Sequence, residues 1–205
     1  MNLDGDIIVI AGWTKSGFVR FTIKELLYKE IVEDRNIYAA LTYSTAHYFR
    51  ELVGVAHFKN NMHSFVRTPE ALEDISQEKY GTVSTSHIDE TGFADWVQIL
   101  QNMKHAGANT LFIEDVADFD SETLLEVLQL MRDNGIRVVL NDTSETKMYT
   151  LGLNMRVSLK HLKFKDVYKQ MGAKVCVGQY NSNDRYIYLK ELDSEEVHTF
   201  ATADF

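Results

Sequence analysis

The feature that most constrains this chain is an alternation of two hydrophobic periods. Short apolar, β-branched runs occur at 6–11 (DIIVIA), 37–42 (IYAALT), 110–113 (TLFI) and 136–140 (IRVVL). Between them lie stretches whose apolar residues recur every three to four positions, at 21–34, 45–53, 93–105 and 122–134. Continuous apolar runs are strands buried on both faces, and the 3.6 period marks helices with one buried stripe. Strands alternating with helices predict an α/β domain with a largely parallel central sheet flanked by helices. The C-terminal part changes character. Residues 174–178 and 185–190 alternate around Asn181-Ser182-Asn183-Asp184, which predicts an antiparallel hairpin.

Several boundaries follow from local chemistry. Gly107 and Gly135 stand just past two of the predicted helices, and Ser121 is the expected N-cap of the helix at 122–134, with Leu124, Leu125, Leu128 and Met131 on its inner face. The least legible stretch is 58–86, with a strand near 62–66 and a helix begun by Thr68-Pro69. With one proline and no low-complexity tract, a single domain over 1–205 is the expectation.

Composition removes several function classes. The one cysteine, Cys176, excludes a disulfide framework and a thiolate zinc site, and the seven histidines form no His-x-x-x-His pair. No run of eighteen apolar residues exists, and Met1 to Asp6 carry no basic region ahead of an apolar core, so a cytoplasmic protein without a membrane segment is expected. Thirty acidic against 21 basic side chains give a net charge of −9, which disfavours DNA binding by summed positive charge. The local exception is the group Lys160, Lys163, Lys165, Lys169 and Lys174.

The first strand leads into Gly12-Trp13-Thr14-Lys15-Ser16-Gly17, followed by Phe18 and Val19. A phosphate-binding loop reads Gly-x-x-x-x-Gly-Lys-Ser/Thr, in which backbone N–H groups cradle the phosphates, the lysine neutralises them and the hydroxyl holds Mg²⁺. Gly12 and Gly17 have that spacing, but Phe18 and Val19 occupy the lysine and hydroxyl positions. The other reading is an ordinary β–α turn that uses glycine for its backbone geometry. Downstream, Glu114, Asp115, Asp118 and Asp120 form an acidic stretch with two readings, a Mg²⁺ site or helix-start residues.

The segment Gly5-Asp6-Ile7-Ile8-Val9-Ile10-Ala11-Gly12 resembles the opening of the nucleotide-binding core of RecA-like P-loop ATPases. It is most similar to the DnaB-type replicative hexameric helicases and their KaiC-like clock-protein relatives. In the same order, 37–44 (IYAALTYS) resembles the second strand of that family, 110–118 (TLFIEDVAD) the strand with the Walker B acid, and 136–142 (IRVVLND) the strand ending in a phosphate-sensing residue. The resemblance implies that Ser44 replaces the catalytic glutamate, that Glu114 falls at the Walker B acid and that Asp142 takes the sensor position. Arg185 is then the nearest basic candidate on the closing hairpin.

The resemblance implies a RecA-like P-loop fold with a degenerate Walker A loop. Vestigial nucleotide-binding candidates are Gly12, Lys15, Ser16, Gly17, Phe18, Val19, Glu114, Asp115 and Asp142, with no catalytic and no metal-binding residue assigned. The implied function is that of a pseudo-ATPase without cofactor, a protein-binding, regulatory or structural module in DNA replication, recombination or repair. It would act through a protein partner or as a homo-oligomer. The alternative is an ATPase using ATP and Mg²⁺ through Lys15 with Glu114 and Asp115. Tyr43, Tyr48 and Phe49, and Tyr180, Tyr186 and Tyr188, are read either as interface aromatics or as sheet packing.

Overall fold

The computed structural model describes residues 4–12, 36–41, 62–66, 94–143, 162–181, 186–192 and 194–201. The segments 13–35, 42–61, 67–93 and 144–161 lie outside the described residues, and with them the predicted helices at 21–34 and 45–53 and the one begun at Thr68-Pro69. The architecture is α/β, with mostly parallel strands and an antiparallel C-terminal end. The chain divides into two compact units, one of Met1–Thr22 with Asp115–Phe205, the other of Ile23–Glu114.

In the second unit, β2 (Asn36–Leu41) lies between β3 (Met62–Val66) and β4 (Ala108–Ile113), all parallel. Ile37, Ala39, Ala40, Leu111, Phe112 and Ile113 are fully buried, as strands with both faces covered require. Helix α1 (Trp96–His105) precedes β4 and buries Ile99, Leu100 and Met103. Its start is set by Asp95, whose carboxylate accepts the Gln98 N–H at 3.0 Å.

The first unit is built on β1 (Ile7–Gly12), buried along its whole length between β5 (Arg137–Asp142) and β6 (Lys174–Asn181), parallel to both. β6 pairs antiparallel with β7 (Tyr186–Glu191), and β7 antiparallel with β8 (Val197–Ala201). Helix α2 (Ser121–Asp133) buries Leu124, Val127, Leu128 and Met131, a stripe at spacings of three, four and seven. Helix α3 (Lys165–Met171) buries Val167, Tyr168 and Met171.

Four expectations change. The N-cap of α2 is Asp120, not Ser121: its carboxylate accepts the Thr123 N–H at 2.8 Å and the Thr123 hydroxyl at 2.9 Å. Val127, not Leu125, completes the buried stripe of that helix. The hairpin is extended by a third antiparallel strand, β8, and α3 stands where only a basic stretch was expected. Among the described residues no helix is long and apolar enough to cross a membrane.

Candidate functional site

Ligands of open α/β sheets sit in the crevice outside the carboxyl ends of the strands. In the first unit those ends carry the polar residues of an otherwise apolar core. Register places Ala11 beside Asp142 and Gly12 beside Gly178, so the carboxyl ends of β5, β1 and β6 lie side by side. Ahead of α2 the first unit resumes at Asp115, and the Val116 N–H donates to the Asn141 carbonyl at 3.1 Å. That bond ties the residues leading into α2 to the end of β5.

Asp115 and Asp142 are 5% and 3% exposed, so each carboxylate needs hydrogen-bond donors from the protein. Asp115 accepts from Ala117 and Thr143. The Ala117 N–H donates to Oδ1 at 3.1 Å, the Thr143 N–H donates to the same oxygen at 3.3 Å, and the Thr143 hydroxyl donates to Oδ2 at 2.8 Å. For Asp142, the Tyr168 hydroxyl donates to Oδ2 at 2.6 Å, inside the buried core. Burial, followed by the charges of Asp142 and Asp115, pushes the Tyr168 phenol well above its ordinary pKa of 10.0, which keeps it a donor.

Lys163 closes the other side. Its ammonium donates to the Ala117 carbonyl at 3.0 Å and the Phe119 carbonyl at 2.9 Å, and it lies 4.6 Å from the centre of the Phe164 ring. Phe164 meets Tyr168 edge to face at 6.2 Å. The sequence reading counted Lys163 among five surface lysines; here it is bound to a loop. Lys174 pairs with Glu191 at 3.4 Å.

Of the predicted site residues, Gly12, Asp115 and Asp142 come to one end of the first unit. Glu114, 4% exposed, belongs to the second unit, where its N–H donates to the Ala40 carbonyl at 3.0 Å. Lys15, Ser16, Gly17, Phe18 and Val19 lie outside the described residues, as do Ser44, Lys160, Ser182, Asp184 and Arg185. Asp118 and Asp120 are exposed, and Asp120 serves as the α2 cap. Tyr186 and Tyr188 lie on one face of β7 with ring centres 6.4 Å apart, and Tyr186 is 39% exposed.

Mg²⁺ is bound through one or two carboxylates plus waters or phosphate oxygens. Both oxygens of Asp115 already face N–H and O–H donors, and no three His, Cys, Asp or Glu side chains gather as a metal cluster among the described residues. The sequence gives no reason to single out Tyr168 or Thr143, and it presents Lys163 only as one of a basic group. The helix that carries Tyr168 is signalled by the spacing of Phe164, Val167, Tyr168 and Met171, an i, i+3, i+4, i+7 stripe closed by Gly172. Comparison with protein-family models and with curated proteins finds no match.

Proposed function

We propose that this protein is a catalytically degenerate RecA-like module of the helicase type, acting by protein binding and not by nucleotide hydrolysis. Phosphoryl transfer depends on electrostatic stabilisation of the moving phosphoryl group. The loop after β1 has Phe18 and Val19 where a lysine and a hydroxyl are needed, and Ser44 stands where a water-activating glutamate is expected. The observation that carries the reading is the state of the two buried carboxylates. Asp115 accepts from Thr143 and Ala117, and Asp142 accepts from Tyr168, bonds that suit carboxylates serving to hold the fold.

The reading also supports a role through surfaces. Tyr186 and Val197 are exposed on β7 and β8, and aromatic groups are enriched at protein interfaces. A DNA replication, recombination or repair setting follows from the helicase resemblance. The test is a thermal melt and a turnover assay of the purified chain with MgATP and MgGTP, alongside sedimentation over a range of concentrations. A ligand at one hundred times its Kd adds about 2.7 kcal/mol to stability, so binding at that level is readily seen. The expected results are no turnover and a concentration-dependent oligomer or a captured protein partner. Steady hydrolysis abolished by Glu114→Ala would overturn the proposal.

A further inference from the structure

The bonds at the polar end of the first unit form a closed circuit, and the circuit has a mechanical consequence. From Lys163 it runs to the carbonyls of Ala117 and Phe119. The Ala117 N–H leads to Asp115, and Asp115 is held by the N–H and hydroxyl of Thr143. Thr143 is bonded in the chain to Asp142, which accepts from Tyr168, and Tyr168 returns through α3 to Lys163. Phe164 fills the inside of this last step, touching the Lys163 ammonium on one side and the Tyr168 ring on the other.

We propose that residues 162–171 are a strap that holds the β4–α2 loop and the end of β5 as one cooperative unit, closing over the buried Asp115 and Asp142. Each end of the strap carries one grip. Lys163 is exposed and grips backbone, and Tyr168 is buried and grips a carboxylate. A grip lost at one end leaves the bonds at the other end supported by fewer neighbours. Local opening then spreads around the circuit, as it does within a cooperative unit of a native protein. The strap is a conformational device that controls exposure of two carboxylates at the ligand-binding edge of the sheet, whatever partner is used.

Native-state hydrogen exchange on the full chain without nucleotide tests this separately from the proposed function. Tyr168→Phe touches neither the Ala117 nor the Thr143 amide, yet both should exchange on the order of tenfold faster, which is what a change of about 1.4 kcal/mol in local opening gives. The Leu124 amide inside α2 should not change. Lys163→Met, which keeps the stem, should speed Thr143 on the far side of the circuit, and Lys163→Arg should restore most of the protection. The double variant should exceed the larger single effect only slightly. If Tyr168→Phe does not fold, Lys163→Met decides alone through Thr143. Exchange that speeds only beside the altered residue, or effects that add in the double variant, would overturn the strap.

Discussion

The Tyr168 hydroxyl supplies a buried donor to Asp142. Tyr168→Phe keeps the ring and its contact with Phe164 and removes only that donor. A hydrogen bond to a charged group contributes about 1.5–3 kcal/mol, so the variant should melt roughly 3–10 °C lower in a chain of this size. Asp142→Asn, which keeps a side-chain carbonyl to accept the phenol, should lose less. The direction of the Tyr168 shift also fixes a pH dependence. Its folded pKa lies above 10.0, so the unfolded chain ionises first, and the stabilisation present below pH 10.0 declines as pH rises toward the folded pKa. The wild type should therefore lose stability above that point more steeply than Tyr168→Phe, measured by urea denaturation across pH 9–11. Cys176 is a second buried group of this kind: burial, then the charge of Glu191, pushes its thiol up to about 12. A thiol reagent at pH 8 should label it only through global opening, so the labelling rate should fall as added osmolyte raises stability; labelling as fast as a free thiol in the folded state would contradict its burial.

Helix ends give the clearest case of local chemistry deciding an element. α2 closes with the Gly135 N–H on the Arg132 carbonyl at 3.0 Å and the Ile136 N–H on the Met131 carbonyl at 2.9 Å. α3 repeats the pattern, with Gly172 bonded to Lys169 and Ala173 to Tyr168. Gly135 and Gly172 have φ of 68° and 60°, and a Cβ at either position would meet nothing within 4 Å. Gly135→Ala and Gly172→Ala should therefore each lose about 1–2 kcal/mol from backbone strain alone, with asparagine losing less. A neutral melt for both alanine variants would remove the strain argument. Asp95→Ala at the start of α1 should lose about 1 kcal/mol in the same assay. Of these ends only Gly135 was legible in the sequence, because a glycine just past a long periodic stretch is a short-range signal. The strands were legible for the same reason, since β1, β4 and β5 are apolar runs with β-branched residues. β8 (VHTFA) was not, because it is an outer partner of β7 whose side chains are mostly only partly covered, so neither a continuous apolar run nor a helical period marks it. α3 was missed because its lysines masked a four-residue inner stripe. In the site, Asp115 and Asp142 were found as acids ending apolar strands. Their donors are Ala117 and Thr143 for Asp115 and Tyr168 for Asp142, and the Tyr168 pairing is tertiary, so no local sequence spacing encodes it.

At the scale of the molecule, the proposed loss of catalysis makes a prediction that starts from the loop after β1. Phe18→Lys with Val19→Thr recreates Gly-x-x-x-x-Gly-Lys-Thr from Gly12 onward. The added ammonium supplies a charge at the position that Phe18 now occupies, and the hydroxyl supplies the Mg²⁺ ligand that this chemistry takes from the next position. The double variant should thus gain a thermal shift with MgATP that the wild type lacks. It should not gain turnover. Water activation needs a base near the end of the second strand, and Ser44 offers a hydroxyl whose pKa is far from neutral; loss of a general base alone typically lowers rate by about 10²–10⁴-fold. The remaining acids do not replace it, because Asp115 and Asp142 already accept bonds from Thr143, Ala117 and Tyr168. Adding Ser44→Glu to the double variant is the next step, and turnover should rise only in that triple variant. Turnover from Phe18→Lys with Val19→Thr alone would show that the base lies elsewhere and that Ser44 does not mark the missing catalytic position.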